Sequence, residues 1–131
     1  MVRSLAAVAF SVPDYDEAIA WFADALGFEL IEDTPLGDGK RWVVVAASRD
    51  AGARLVLQRL VLQKTEGAPR GNRRVGYFLE TDDFDRDHAA YLARGVRFLE
   101  SPRRESYGVV AVFADPWAGK WDLIQPTRAV P

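Results

Sequence analysis

Val12-Pro13-Asp14-Tyr15-Asp16 and, 69 residues later, Thr81-Asp82-Asp83-Phe84-Asp85 are the stretches that decide the fold of this 131-residue chain. Both follow an apolar run and set Asp-aromatic-Asp at the start of a segment whose apolar residues recur at helical spacing. Asp14 and Asp83 are predicted helix N-caps, because a short carboxylate side chain accepts a hydrogen bond from a first-turn amide. The sequence thus predicts two related helices in corresponding positions.

The segments that follow the two helices also correspond. Both helices are predicted to end at a glycine, Gly27 or Gly95. Three β-prone segments follow in each half: 27–32, 41–46 and 55–58 in the first, and 95–100, 107–113 and 122–125 in the second. One such module is marginal alone. The chain is therefore predicted to be α+β, a single domain of two βαβββ modules, about 4–63 and 73–126, with an exposed linker at 64–72.

The last strand of the first module contains a duplication. Arg54-Leu55-Val56-Leu57-Gln58 is followed at once by Arg59-Leu60-Val61-Leu62-Gln63. Because strand side chains alternate with a period of two, two copies of five residues present opposite faces. The strand is long, bulged or ambiguous in register, and the sequence leaves these alternatives open.

Composition excludes several classes of function. Lysine and arginine number 17 against 19 aspartates and glutamates, so no basic excess exists for nucleic acid or an anionic membrane, and neither is an expected partner. The absence of cysteine removes disulfides, thiolate nucleophiles and zinc–sulfur sites. No targeting or membrane-spanning segment is visible near Met1, so a cytoplasmic location is expected.

His88 is the only histidine of the chain. Helical spacing puts it on the same stripe as Phe84, Tyr91 and Leu92, where the first helix has Ile19. That stripe packs on a sheet. We therefore expect a structural, half-buried histidine rather than a general base or a metal ligand.

Three motifs carry a resemblance to a known family. They are Val12–Ala18, Leu26-Gly27-Phe28 and, most specifically, Tyr107–Phe113 followed by Asp115–Leu123. These residues resemble the glyoxalase / bleomycin resistance protein / extradiol dioxygenase superfamily, also called the vicinal oxygen chelate superfamily. The resemblance covers Leu5 to Pro126 and implies that curved mixed sheets form an open cup. It also implies a homodimer, which is common in the family and would cover exposed sheet edges.

The resemblance further implies where a divalent metal would bind. In metal-using members, the first and last strands of each module supply the ligands. The corresponding positions here are Ala7, Gly76, Leu55 (or Leu60 in the shifted register) and Asp122. Only Asp122 has a donor atom on its side chain, and such a site needs three or four nitrogen or oxygen ligands. No metal and no other cofactor is therefore expected.

A ligand pocket is predicted from strand parity and from the family cup. Small residues leave volume, aromatic residues supply walls, and the loop 102–107, with Arg104, Glu105 and Tyr107, borders the cavity in related proteins. Asp122 is a hydrogen-bond acceptor or a base for a ligand, or else a residual carboxylate satisfied by neighbouring backbone or by an arginine. Glu80 either recognises an amine, acts as a base or lies solvated at the mouth. The predicted pocket comprises Ala7, Ala9, Trp42, Leu55, Gly76, Phe78, Glu80, Tyr107, Trp121 and Asp122.

Two classes of function remain open, beside the simpler possibility of an accessory module whose cup is filled by its own side chains. The first is a metal-free protein that binds a small aromatic or cationic organic compound, which the missing ligands and the aromatic content favour. The second is a glyoxalase-like lyase or dioxygenase-like enzyme with a degenerate metal site, which would use Asp122 or Glu80. The fold alone does not decide between these classes, because lyases, epimerases, oxygenases and drug-binding proteins of the family share it.

Overall fold

The computed structural model of the chain describes residues 2–50, 52–60 and 74–127. Two units, Met1–Lys64 and Thr65–Pro131, each contain one helix and one mixed sheet. The predicted α+β class is confirmed. The linker 64–72 lies outside the described residues, and the single-domain organisation stays a prediction.

Unit 1 has a four-stranded sheet in the order β1-β4-β3-β2, in which β1 and β4 are parallel and the other pairs antiparallel. Its β4 uses the first copy of the duplicated segment, and residues 61–63 of the second copy lie outside the described residues. The elements are β1 (Ala7–Val12), α1 (Tyr15–Asp24), β2 (Glu29–Gly37), β3 (Lys40–Ala46) and β4 (Arg54–Arg59).

Unit 2 repeats this order and adds one short strand. Its sheet runs β5-β9-β8-β6, and β7 pairs with β8 beside it. The sequence predicts a loop at 102–107, and this prediction is wrong for Arg103–Glu105. These residues form the short strand β7, because the turn before Gly108 folds them back onto β8. The elements are β5 (Tyr77–Glu80), α2 (Phe84–Ala93), β6 (Arg97–Phe98), β7 (Arg103–Glu105), β8 (Gly108–Ala114) and β9 (Lys120–Pro126).

Both helices begin at the aspartates that the sequence indicates. The Asp14 carboxylate accepts a hydrogen bond from the Glu17 amide at 2.8 Å, and Asp83 accepts one from Arg86 at 3.1 Å. Gly27, at φ 74°, follows the end of α1, and Gly95, at φ 88°, follows that of α2. These cap predictions are confirmed.

Each helix packs on one face of its own sheet. In unit 1 the ring of Phe22 on α1 lies 5.3 Å from that of Phe10 on β1. In unit 2 Tyr91 on α2 lies 5.9 Å from Phe113 on β8. His88 stacks on Phe84 and meets the edge of Phe98, so the structure places it in this packing layer. Within residues 2–50, 52–60 and 74–127, no helix is long and apolar enough to cross a membrane.

The turn that joins β8 to β9 is organised by Asp115, which is only 5% exposed. Its carboxylate accepts hydrogen bonds from the Trp117 amide at 2.8 Å, the Gly119 amide at 2.8 Å and the Trp121 indole at 2.9 Å. A side chain at Gly119 would collide with this carboxylate. The glycine is thus required by the hydrogen-bonding of its neighbour.

Gly119→Ala is expected to lower the free energy of unfolding by about 2 kcal/mol or more, because the added methyl displaces a buried, triply bonded carboxylate. Gly76→Ala is the matched control, since a methyl there meets nothing within 4 Å. We expect it to change stability by less than about 0.5 kcal/mol. Urea unfolding followed by circular dichroism measures both values, and equal losses would contradict the account of this turn.

Candidate functional site

Each sheet also has a face that does not contact its helix, which we call the helix-free face. Side chains alternate along a strand, so the ring contacts of the helix-packed side fix the opposite side. In unit 1 Phe10 points toward α1, and Ala7 and Ala9 therefore lie on the helix-free face. In unit 2 Phe113 points toward α2, and Val112 therefore lies on the helix-free face.

Ala7, Ala9 and Trp42 lie on the helix-free face of unit 1, beside Val56 and Gln58 of β4. Leu55, which was predicted to line the pocket, lies on the other side of this sheet. It is the ladder partner of Val8, not of Ala7, and it is buried on the side that packs against α1. The β4 residue beside Ala7 is Arg54, so the metal-ligand position assigned to Leu55 does not lie on this face.

Trp42 is 42% exposed on the helix-free face of unit 1. Its indole N–H donates to the Glu32 carboxylate at 3.1 Å, and the Thr34 hydroxyl donates to the same carboxylate at 3.2 Å. The polar edge of the ring is thereby held in place. The ring itself remains available for stacking.

The unit 2 face brings together Gly76, Phe78, Glu80 and Asp122. Phe78 and Asp122 are direct ladder partners on neighbouring parallel strands, and Glu80 follows Phe78 on the same side. Phe78 is 68% exposed. A solvent-exposed phenyl ring therefore lies beside a carboxylate.

Trp121, which was predicted to line the pocket, also lies on the other side of its sheet. It precedes Asp122 in β9 and so points to the opposite face, where it is buried against α2's side of the sheet. Its ring stacks on Tyr77 at 4.7 Å, and its N–H is bound by Asp115. Trp121 therefore belongs to the core and not to a pocket shared with Asp122.

The Asp122 carboxylate is the unusual group of this face. Its Oδ1 is buried and has no hydrogen-bond partner among the described residues. Burial raises the pKa of Asp122, the positive charge of Arg103 opposes this shift, and the negative charge of Glu100 adds to it. A buried acceptor without a donor is costly, so this atom is suited to a donor supplied from outside the chain.

Arg103 does not supply that donor, because two glutamates already occupy it. Its guanidinium lies 2.9 Å from Glu100 and 2.6 Å from Glu105. Hydrogen bonds to Glu100, to the Tyr107 hydroxyl and to Glu105 raise the pKa of Arg103. Lys120 shares the face with Asp122 but forms no ion pair with it in the part of the chain that the structure describes.

Sequence reasoning missed Glu100 and Arg103. Their signal was the charge pattern around Arg103, with glutamates three residues before and two after it. That pattern becomes interpretable only once β7 is paired with β8, which puts Arg103 beside Val110 on the side of Asp122. Tyr107, which was predicted, lies half-exposed in the turn next to this group.

The residues present do not fit a divalent metal centre of the kind that the resemblance implies. Ala7 and Gly76 have no side-chain donor and Leu55 lies on the other face, so Asp122 is the one donor among these four positions. Within the described ranges, no group of three or more histidine, cysteine, aspartate or glutamate side chains could hold a metal ion.

Known proteins with similar sequences bear on this site. An uncharacterized protein of Shewanella frigidimarina (strain NCIMB 400) is 41% identical over an alignment of 129 positions, which covers 95% of this chain and 95% of the relative. The 2-epi-5-epi-valiolone epimerase of an Actinomyces species is 30% identical over an alignment of 146 positions, gaps included, which covers 95% of this chain and 80% of the enzyme. Relatives of this fold thus include an enzyme.

A solved structure is similar as well. TnmS3, an antibiotic binding protein from Streptomyces sp. CB03234, matches with a TM-score of 0.70 and 34% identity over 97% of this chain and 99% of its own. The model of the Glyoxalase/Bleomycin resistance protein/Dioxygenase superfamily matches residues 4–123. With this match and its two modules in the expected order, the chain belongs to the glyoxalase/bleomycin resistance protein/dioxygenase superfamily.

Proposed function

We propose that this protein binds a small aromatic or cationic organic compound on the helix-free face of unit 2, without a catalytic metal. The observation that carries the proposal is the buried Oδ1 of Asp122, which has no hydrogen-bond donor among the described residues. Phe78 lies directly beside it with most of its ring exposed. A ligand with an aromatic or apolar body and a donor group matches both.

The charges around Asp122 favour a cationic donor. Arg103 is shared by Glu100 and Glu105, so its positive charge is compensated locally. Glu80 adds a further carboxylate on the same face, two residues along β5 from Phe78. An ammonium group would satisfy Asp122 and also benefit from the Phe78 ring through a cation–π interaction.

The antibiotic binding protein TnmS3 supports a binding role, since it shares the fold at 34% identity over nearly the whole chain. The donor-poor metal positions support binding without a metal. The sheet order of unit 1 leaves the long, exposed strand β2 at one edge, and we include in the proposal that a second copy of the chain pairs to form a homodimer. A cytoplasmic location stays a prediction from the sequence.

An enzyme is the second candidate, and two observations favour it. The epimerase relative is 30% identical, and the raised pKa of Asp122 brings its carboxyl closer to the range of a general base or acid. In this reading Asp122 or Glu80 would take a proton from the substrate and no metal would take part. The binding role ranks higher because the described residues give Oδ1 of Asp122 no hydrogen-bond partner, and a donor group on a bound ligand would supply one directly.

Asp122→Asn is expected to weaken binding of 2-phenylethylammonium, the probe cation, by about tenfold or more, because a charge-assisted hydrogen bond is lost. Binding of the neutral 2-phenylethanol is expected to change little. Isothermal titration calorimetry measures both, with Asp85→Asn, an exposed aspartate of α2, as the matched control.

Equal affinity of the wild type and Asp122→Asn for the cation would overturn the binding proposal. Turnover of a carbonyl or sugar-like substrate would instead establish the enzyme, provided that Asp122→Asn abolishes it. This turnover is measured as incorporation of deuterium from the solvent. The two outcomes are distinguished because binding alone leaves the ligand unchanged.

The pH dependence of stability is expected to report the raised pKa of Asp122. The native state holds the proton of the Asp122 carboxyl group more tightly than the unfolded chain does, in which the pKa of this group is near 3.8. The stability that protonated Asp122 supplies is therefore present below that value and lost as pH rises through the higher folded value.

The side chain that Asp122→Asn introduces is neutral at every pH. The unfolding free energy of this variant, relative to that of the wild type, is thus expected to increase as pH rises through this window and to stay constant at neutral pH. Urea unfolding between about pH 3 and pH 7 measures this difference. A difference that does not vary with pH would show that the folded and unfolded pKa values are the same.

Removal of divalent metals with EDTA is expected to leave the melting temperature and the affinity for 2-phenylethylammonium unchanged, because a single carboxylate does not hold such an ion. Added Ni²⁺, Zn²⁺, Fe²⁺ or Mn²⁺ is expected to give no saturable one-to-one binding. Stoichiometric metal that raises the melting temperature and is lost in Asp122→Asn would refute the metal-free proposal.

A further inference from the structure

We propose a second ligand site in unit 1, a wedge between strands β3 and β4 that accepts a planar aromatic anion such as an arene carboxylate. It lies in unit 1 alone and has the charge preference opposite to that of Asp122. It therefore does not depend on the function proposed above. Among the described residues, those that line its cavity include Tyr15, Leu36, Lys40, Trp42, Arg59 and Leu60.

The wedge arises because two paired strands separate before either one ends. The β3–β4 ladder runs from Ala46↔Arg54 to Val43↔Leu57 and stops there. Strand β4 continues along β1 as far as Val12↔Arg59, and β3 continues along β2 as far as Gly37↔Lys40. The ends of β3 and β4 thus form the two sides of a cavity of about 330 Å³, the lower end of the range for small-molecule pockets.

The floor of the wedge is fixed by Tyr15 and Arg41. The Tyr15 hydroxyl accepts the Arg41 backbone N–H at 3.2 Å, which gives a partner to an amide of the separated strand. The Arg41 guanidinium lies 5.1 Å from the centre of the Tyr15 ring and forms ion pairs with Asp33 at 2.7 Å and Asp16 at 3.0 Å. Its hydrogen bonds hold the pKa of Asp33 below its usual value. The positive charge of Arg41 is therefore already compensated.

The walls of the wedge are apolar and include one aromatic ring. Leu36, Trp42 and Leu60 are each substantially exposed although they line a cavity. The Trp42 N–H is bound by Glu32, so the ring is oriented and its flat surface is left for a ligand. Such walls suit a flat ring system, for which stacking on tryptophan adds to the burial of apolar area.

The mouth of the wedge carries two positive charges, Lys40 and Arg59. Neither forms an ion pair with any residue that the structure describes. The Arg59 Nη2 atom lies 3.9 Å from the position of a Cβ at Gly39, so this side chain reaches from β4 across to the β2–β3 turn. Asp38 belongs to that turn, but neither it nor any other carboxylate of residues 2–50, 52–60 and 74–127 lines the cavity.

Together these features define the ligand class. An apolar slot with an oriented indole selects a flat ring, and two cations at its mouth select a negative group at one end of that ring. A cationic ligand would meet Lys40 and Arg59 and be repelled. The wedge and the Asp122 face are therefore expected to discriminate between ligands of opposite charge.

The experiment uses 2-naphthoate as the probe and the neutral 2-naphthylmethanol as its comparison, titrated into the full chain by calorimetry. We expect naphthoate to bind more tightly than the alcohol. Arg59→Gln and Lys40→Gln are each expected to weaken naphthoate binding by about two- to fivefold, the range of a partly exposed ion pair. Trp42→Ala is expected to lower the affinity for both ligands by about tenfold.

Arg97→Gln, which removes an exposed arginine of unit 2, is the matched control and is expected to leave both affinities unchanged. Asp122→Asn is also expected to leave naphthoate binding unchanged, which separates this site from the one proposed above. Loss of naphthoate binding in Asp122→Asn, or equal binding by the wild type, Arg59→Gln and Lys40→Gln, would overturn the proposal. The two charge variants alter exposed side chains, so the test holds even if Trp42→Ala folds poorly.

Discussion

The alternation of side chains across a β-strand is the constraint on which the rest of this structure depends. In the described residues each unit has one helix, and that helix covers one face of one sheet. A strand that places a residue in the core must therefore place its neighbour on the helix-free face. Trp121 and Asp122 are the clearest pair, since the first is buried in an aromatic stack and Oδ1 of the second has no hydrogen-bond partner among the described residues.

The features that the sequence predicts well are local ones. An N-cap needs only an aspartate and an amide three residues later, and Asp14 and Asp83 both form that bond. His88 falls among Phe84 and Phe98 because helical spacing alone determines the side of a helix. The repeat of the modules followed from the same local signals in the same order.

The features that the sequence does not predict depend on how distant strands are paired. Leu55 was assigned to the wrong face because its side is fixed by its pairing with Val8, 47 positions away, and not by its own neighbours. The duplicated segment that begins at Arg54 made this choice ambiguous from sequence. Strand β7 is likewise too short to recognise, and it exists because Gly108 and the preceding turn bring Arg103 back to β8.

The two units share a scaffold but not an electrostatic character, and the difference lies in the charges that remain once one arginine in each unit is compensated. In unit 2 Arg103 is held by two glutamates, and among the described residues no cation forms an ion pair with Asp122. In unit 1 Arg41 is held by two aspartates, and the described residues supply no carboxylate to Lys40 and Arg59 at the wedge. The two modules therefore share their strand order but differ in the ion pairs around it. The likeness to an antibiotic binding protein agrees with this architecture, and the ligand class proposed for each unit rests on these ion pairs.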